Sequence, residues 1–119
     1  MAAALVLLCS CTSSEPRTQI LKVYNWADYI DEDVLANFPK WYEQQTGEKV
    51  RVIYQTFDIN EIMLTKIERG HEDYDVVCPS EYIIERMLRK DLLLPIDTAF
   101  GRTPNFIKNV SPYITRQID

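Results

Sequence analysis

The chain has 119 residues, a formal net charge of −5, 46% hydrophobic residues and 26% charged residues. These proportions exclude wholesale disorder and fibrous repeats, and the acidic balance leaves no field for holding nucleic-acid phosphates. The length admits one ordinary domain and excludes two lobes closed around a cleft.

Met1 to Leu8 is apolar and uncharged. A bilayer span needs about 20 apolar residues, so this run suits the hydrophobic region of a secretory signal instead. No Lys or Arg precedes it, unlike the basic start of most signals. Leu8-Cys9-Ser10-Cys11 resembles a bacterial lipobox, in which Cys11 would become the lipidated first residue. Residues 1–10 then read as a lipoprotein signal and 11–19 as a flexible tether. Processing would remove Cys9 and acylate Cys11, leaving Cys78 with no partner for an intramolecular bridge. Cys78 closes an apolar run, which predicts a buried, inert thiol.

Ile20 to Tyr24 predicts the first strand. Asp31 is a helix cap; Val34, Leu35, Phe38 and Tyr42 follow at helical spacing, with Trp41 beside them, and Gly47 ends the helix. Pro39 lies inside it and predicts a kink or break near Phe38. Val50 to Tyr54 predicts the second strand. Asn60 is a candidate cap for a helix carrying Met63, Leu64 and Ile67, ended by Gly70. Tyr74 to Cys78 predicts the third strand, stopped by Pro79. Ser80 is a candidate cap for a helix holding Tyr82, Ile83, Met87 and Leu88. Leu92 to Ile96 reads as a short fourth strand or extended run. A weak helical stretch around Phe106 to Val110 follows, bracketed by Pro104 and Pro112. This alternation predicts an α/β fold with a mostly parallel sheet and flanking helices.

In such sheets ligands sit beyond the carboxyl ends of the strands, where strand order reverses. With the first strand between the second and third, the facing loops are Asn25-Trp26-Ala27-Asp28-Tyr29 and Pro79-Ser80-Glu81-Tyr82. Both concentrate aromatic and acidic residues. Taken alone, Trp26, Tyr29 and Tyr82 are equally readable as core aromatics.

Val23-Tyr24-Asn25-Trp26-Ala27-Asp28-Tyr29-Ile30 resembles the opening of periplasmic polyamine-binding proteins, the spermidine/putrescine receptors of ABC importers. Gln45-Thr46-Gly47-Glu48-Lys49-Val50, Asn60-Glu61-Ile62-Met63 and Tyr74-Asp75-Val76-Val77-Cys78-Pro79-Ser80-Glu81-Tyr82 agree with the same family in order and spacing. The resemblance covers roughly Leu21 to Asp97. It implies the first lobe of a type II periplasmic-binding-protein-like fold, here incomplete, with residues 20–119 forming part of that lobe. It also implies a polyamine ligand, ABC permease subunits as partners and a periplasmic location, where the lipobox-like motif would supply a lipid anchor to the membrane; no cofactor is expected.

In such receptors carboxylates meet the ammonium groups and aromatic rings flank the methylene chain. An ammonium over an aromatic face gains about 0.5–2 kcal/mol, and a charged hydrogen bond contributes about 1.5–3 kcal/mol. The resemblance makes Trp26 and Tyr29 stacking surfaces, Asp28 an ammonium partner, and Ser80 and Tyr82 the lining of the facing strand end. Asp28 stands where the family commonly has Glu, and Glu81 where a small hydroxyl residue is common. Glu81 is a further candidate ligand, with a favourable charge at a helix start as the preferred reading.

Two other readings stay open: a surface interaction lipoprotein built on the same lobe, and an enzyme on this fold. Catalysis has little support. His71 is the single histidine and lies in a polar turn, and a Cys78–His71 pair is conceivable only if Cys78 is reactive. No phosphate loop or metal-ligand spacing is present. The chain is therefore expected to be a fragment of a bilobal receptor, and to bind polyamine poorly alone.

Overall fold

A computed structural model of the chain describes residues 15–97 and 99–115. The predicted signal, Cys9, Cys11 and the first part of the tether lie outside the described residues. Two compact units divide the chain, residues 1–84 and 85–119.

The first unit is built on a three-stranded parallel sheet: β1 Ile20–Trp26, β2 Arg51–Phe57 and β3 Val76–Val77, in the order β2-β1-β3. The first strand is central, the arrangement on which the switch-point argument depends. Its register pairs Trp26 with Phe57 and Tyr24 with both Gln55 and Val77. Two strands run longer than predicted, because their parallel partner continues the ladder past the apolar run. The third runs shorter, although Asp75 N–H to Lys22 O and Cys78 N–H to Tyr24 O extend its pairing on either side.

Helix α1, Glu32–Thr46, starts and stops where its sequence signals lie. The Asp31 carboxylate accepts from Asp33 N–H at 2.8 Å, and Gly47 takes the left-handed conformation at φ 77° with its N–H on Glu43 O. Of the kink or break expected near Phe38, the break does not occur. The helix runs through Pro39, giving up the one backbone bond to Leu35 O that proline cannot make. Leu35, Phe38 and Tyr42 are half-buried, but Val34 is exposed, so the apolar stripe is narrower than predicted.

Helix α2, Asn60–Gly70, buries Met63 and Leu64. Asn60 is not its cap; Ile59 holds that position without a side-chain bond, and Asn60 is the first helical residue. At the far end His71 adopts the left-handed conformation in place of the expected glycine stop. Successive strand residues point to opposite faces. Tyr24 and Gln55 face Lys66 of α2, whereas Leu21 lines a surface crevice of about 300 Å³ with Phe38 and Tyr42 of α1. The two helices therefore cover opposite faces of the sheet.

The core of this unit is Tyr24, Phe57, Met63, Leu64 and Ile83. Each full burial of such a side chain contributes about 1.5–3 kcal/mol. Tyr24 meets Phe57 edge-on at 5.0 Å and stacks on Tyr74 at 4.6 Å. Lys66 Nζ lies 5.0 Å above the Tyr24 ring and donates to Gln55 Oε1, which also accepts from the Tyr74 hydroxyl. Its contact with the Tyr74 phenol holds the ammonium above its ordinary pKa.

At the amino ends of the strands, Arg17 belongs to a short 3-10 turn, Arg17–Gln19. It bonds Asp73 Oδ2 at 2.6 Å and Asp75 Oδ1 at 3.0 Å, and Lys22 pairs with Asp73 as well. Arg17, expected at the end of the tether, is thus bonded to the fold.

Helix α3, Glu81–Arg89, starts at Ser80, whose carbonyl accepts from Ile83 and Ile84. In the second unit it ends on Asp91, left-handed at φ 53°, with Leu92 N–H returning to Met87 O. No fourth strand forms among the described residues. Leu94 and Ile96 are exposed, and Pro95 between them lacks the N–H a ladder needs. Helix α4, Pro104–Asn109, is capped by Thr103, and α5, Pro112–Thr115, follows.

Candidate functional site

Parallel strands deliver their following loops to a single edge. Here that edge carries the loops after β1, β2 and β3, on both sides of the order reversal at β1.

Trp26 ends β1 and is half-buried. Its ring lies 4.6 Å from Phe57 and 6.2 Å from Tyr29, and its backbone N–H donates to Asn25 Oδ1 at 2.8 Å. One part of the indole is therefore packed, as a core aromatic would be, and the rest reaches the surface. Tyr29 is 71% exposed, an unusual setting for a residue that serves only packing. Between them Asp28 sits at φ 61°, a conformation that Asp tolerates better than most residues. This turn carries the Asp28 carboxylate outward, exposed and with no hydrogen bond or ion pair among the described residues.

The facing loop is organised by a residue that the sequence assigned to a cap. Asn60, 6% exposed, donates to Ser80 Oγ at 2.9 Å and to the Tyr82 hydroxyl at 3.0 Å, and accepts from Ser80 N–H at 3.2 Å. All its amide hydrogen-bonding groups face this loop, which is why none caps α2. The Tyr82 hydroxyl in turn donates to Glu61 Oε1 at 3.0 Å. Ser80 and Tyr82 are thus brought together, with Asn60 and Glu61 added. No hydrogen bond or ring contact joins this group to Trp26 and Tyr29 among the described residues. Glu81 is exposed in the first turn of α3, where a negative charge suits the helix dipole.

Sequence reasoning quoted Asn60 and Glu61 without giving them a place at this edge. The available signal was topological: the loop after the second strand must end beside the loops after the first and third. Cys78 corrects the expectation of a buried thiol. It is free and exposed, because it follows edge strand β3, beyond which the described residues place no further strand. It also lies at the carboxyl end of the sheet, whereas His71 follows the end of α2 at the amino end, so the pair considered for catalysis is not assembled. No group of residues suited to holding a metal is found among the described residues, and none of their helices is long and apolar enough to cross a membrane. A surface cavity of about 360 Å³, lined by Glu15, Pro39, Glu43 and Arg51, lies at the opposite end of the strands, away from these loops.

No family model matches the chain. Individual proteins do. The chain is 36% identical over 98 residues to the putrescine-binding periplasmic protein of Escherichia coli, covering 82% of this chain and 24% of that one. It is 34% identical over 93 residues to a putrescine-binding periplasmic protein of Pseudomonas aeruginosa, covering 78% and 23%. Its fold matches the crystal structure of a spermidine/putrescine ABC transporter substrate-binding protein from Streptococcus pneumoniae, in complex with calcium and HEPES. That match has a TM-score of 0.61 and 43% identity, over 81% of this chain and 27% of the other. The chain spans about a quarter of the length of these relatives, all of them named for binding rather than catalysis. By sequence and by fold, it resembles the periplasmic spermidine/putrescine-binding proteins over about a quarter of their length, with an α/β arrangement like that of a type II periplasmic-binding-protein lobe.

Proposed function

We propose that this chain forms one side of a polyamine site in a receptor that captures the amine outside the cytoplasm and delivers it to an ABC permease. The observation that carries the proposal is the arrangement at the carboxyl edge of the sheet: an exposed Tyr29 beside a half-exposed Trp26, with the unpaired carboxylate of Asp28 between them in sequence. An alkyl diamine needs apolar planes along its methylene chain and anions at its ends, and this edge offers both. Ser80 and Tyr82 line the facing loop. Tethering to the membrane through lipidated Cys11 belongs to the same proposal, since residue 11 is placed to be the first residue after signal removal.

A ligand held between two lobes is desolvated from both sides. A single open edge leaves the ammonium groups in water, so affinity is weak for this chain alone. Calorimetry with putrescine and spermidine tests the reading. Weak binding at millimolar amine is expected, reduced in Asp28→Asn and in Trp26→Ala. An affinity unchanged in both variants would remove the site from this edge.

A further inference from the structure

The hydrogen bonds of the Tyr82 hydroxyl are all assigned. Its oxygen accepts from Asn60 Nδ2 and its proton goes to Glu61 Oε1. A phenol oxygen that already accepts one strong bond is a poor second acceptor, so Tyr82 is badly placed to receive an ammonium N–H directly. Its proton instead fixes the carboxylate of Glu61. That carboxylate is exposed, belongs to the first turn of α2, and its second oxygen has no partner among the described residues. Four residues earlier in the chain, the Phe57 ring packs on Trp26, so the loop bearing Glu61 leaves the sheet beside the aromatic surface.

We propose that Glu61, oriented by Tyr82, is an ammonium-binding carboxylate of this edge and sets its preference for cations over neutral chains of the same length. The inference rests on the polyamine reading above and adds a residue to it. Tyr82 is then a positioning residue. Ser80 is in a different position: its oxygen accepts from Asn60 and keeps a second lone pair for a ligand N–H.

The two effects separate by substitution. Glu61→Gln keeps a carbonyl oxygen for the Tyr82 proton and removes only the charge. Tyr82→Phe keeps the ring and removes the bond that orients Glu61. The labelled 119-residue chain is titrated with putrescine by NMR in three forms: unaltered, Glu61→Gln and Tyr82→Phe. Glu61→Gln is expected to weaken putrescine binding about tenfold with an unchanged thermal midpoint, the loss of one charged hydrogen bond. Tyr82→Phe is expected to weaken it less. A Glu61→Gln chain that binds putrescine as tightly as the unaltered one overturns this inference and leaves the polyamine reading standing. An unaltered chain that shows no response to putrescine overturns the polyamine reading and this inference with it.

Discussion

The side-chain amide of Asn60 donates to Ser80 Oγ at 2.9 Å while its carbonyl oxygen accepts from Ser80 N–H at 3.2 Å. Through this pair the first residue of α2 fixes the residue that starts α3, across the edge where β2 and β3 end. Asn60→Ala leaves the Ser80 N–H without its acceptor in a part-buried place. A loss of about 1–3 kcal/mol is expected in urea unfolding. Asn60→Asp restores an acceptor but not the two donors, so it recovers part of that loss. A midpoint for Asn60→Ala equal to that of the unaltered chain would show the pair to be incidental.

Tyr29 separates stability from binding. With 71% of its surface exposed, Tyr29→Ala is expected to change stability by less than about 0.5 kcal/mol. If the ring flanks an alkyl chain, the same change weakens amine binding several-fold. Thermal melts and an amine titration on one preparation check both halves.

Asp28 allows its charge to be tested at constant backbone. At φ 61°, Asp28→Asn keeps the conformation comfortable, whereas Asp28→Ala costs about 1 kcal/mol in strain. Asp28→Asn is therefore expected to melt like the unaltered chain and to bind amine less well. A large fall in its melting temperature would mean that the carboxylate has a structural duty not visible in its contacts.

At the other end of the sheet the charges predict acid sensitivity. Hydrogen bonds from Lys22 and Arg17 hold the Asp73 carboxyl far below its ordinary value of 3.8. Burial pushes Asp75 upward, but the Arg17 and Lys22 N–H bonds outweigh it and the net shift is downward. Both folded-state values are depressed, so their contribution is present above the unfolded carboxylate range and is lost as pH falls below it. Asp73→Asn is expected to flatten the acid side of the stability–pH profile between pH about 4 and 2. Added salt should do the same in part, because Asp73 is 60% exposed and its pairs are screened. An unchanged acid limb in Asp73→Asn would place the sensitivity elsewhere.

Much of this architecture was legible in the residues. Asp31 and Gly47 mark α1 because a carboxylate cap and a left-handed glycine are local devices that need no tertiary partner. The parallel sheet with flanking helices followed from the alternation of strands and helices, whereas the central place of β1 could only be assumed from the residues. The misreadings share a cause of the opposite kind. Asn60 looks like a cap locally, but a long-range demand from Ser80 and Tyr82 takes all its hydrogen-bonding groups. Leu92 to Ile96 reads as a short strand or an extended run by composition, and the strand does not form because no partner strand exists for it among the described residues. Cys78 and Val34 look buried for the same compositional reason, and both lie on surfaces that the described residues leave uncovered. Of the proposed site, Trp26, Asp28 and Tyr29 stand out in the residues by their clustering after a strand. Glu61 does not, because its place depends on which loops the sheet brings to one edge.

The central claim is that polyamine meets this chain at the carboxyl edge of the sheet. The chain has two tryptophans, Trp26 at that edge and Trp41 on the exposed side of α1, so one sample carries both probe and control. The most direct measurement follows the two indole N–H signals by NMR during addition of putrescine. The account predicts that the Trp26 signal moves in a saturable way while Trp41 stays still, and that Asp28→Asn shifts the curve to higher amine. Equal movement of both signals, or of neither, would contradict it.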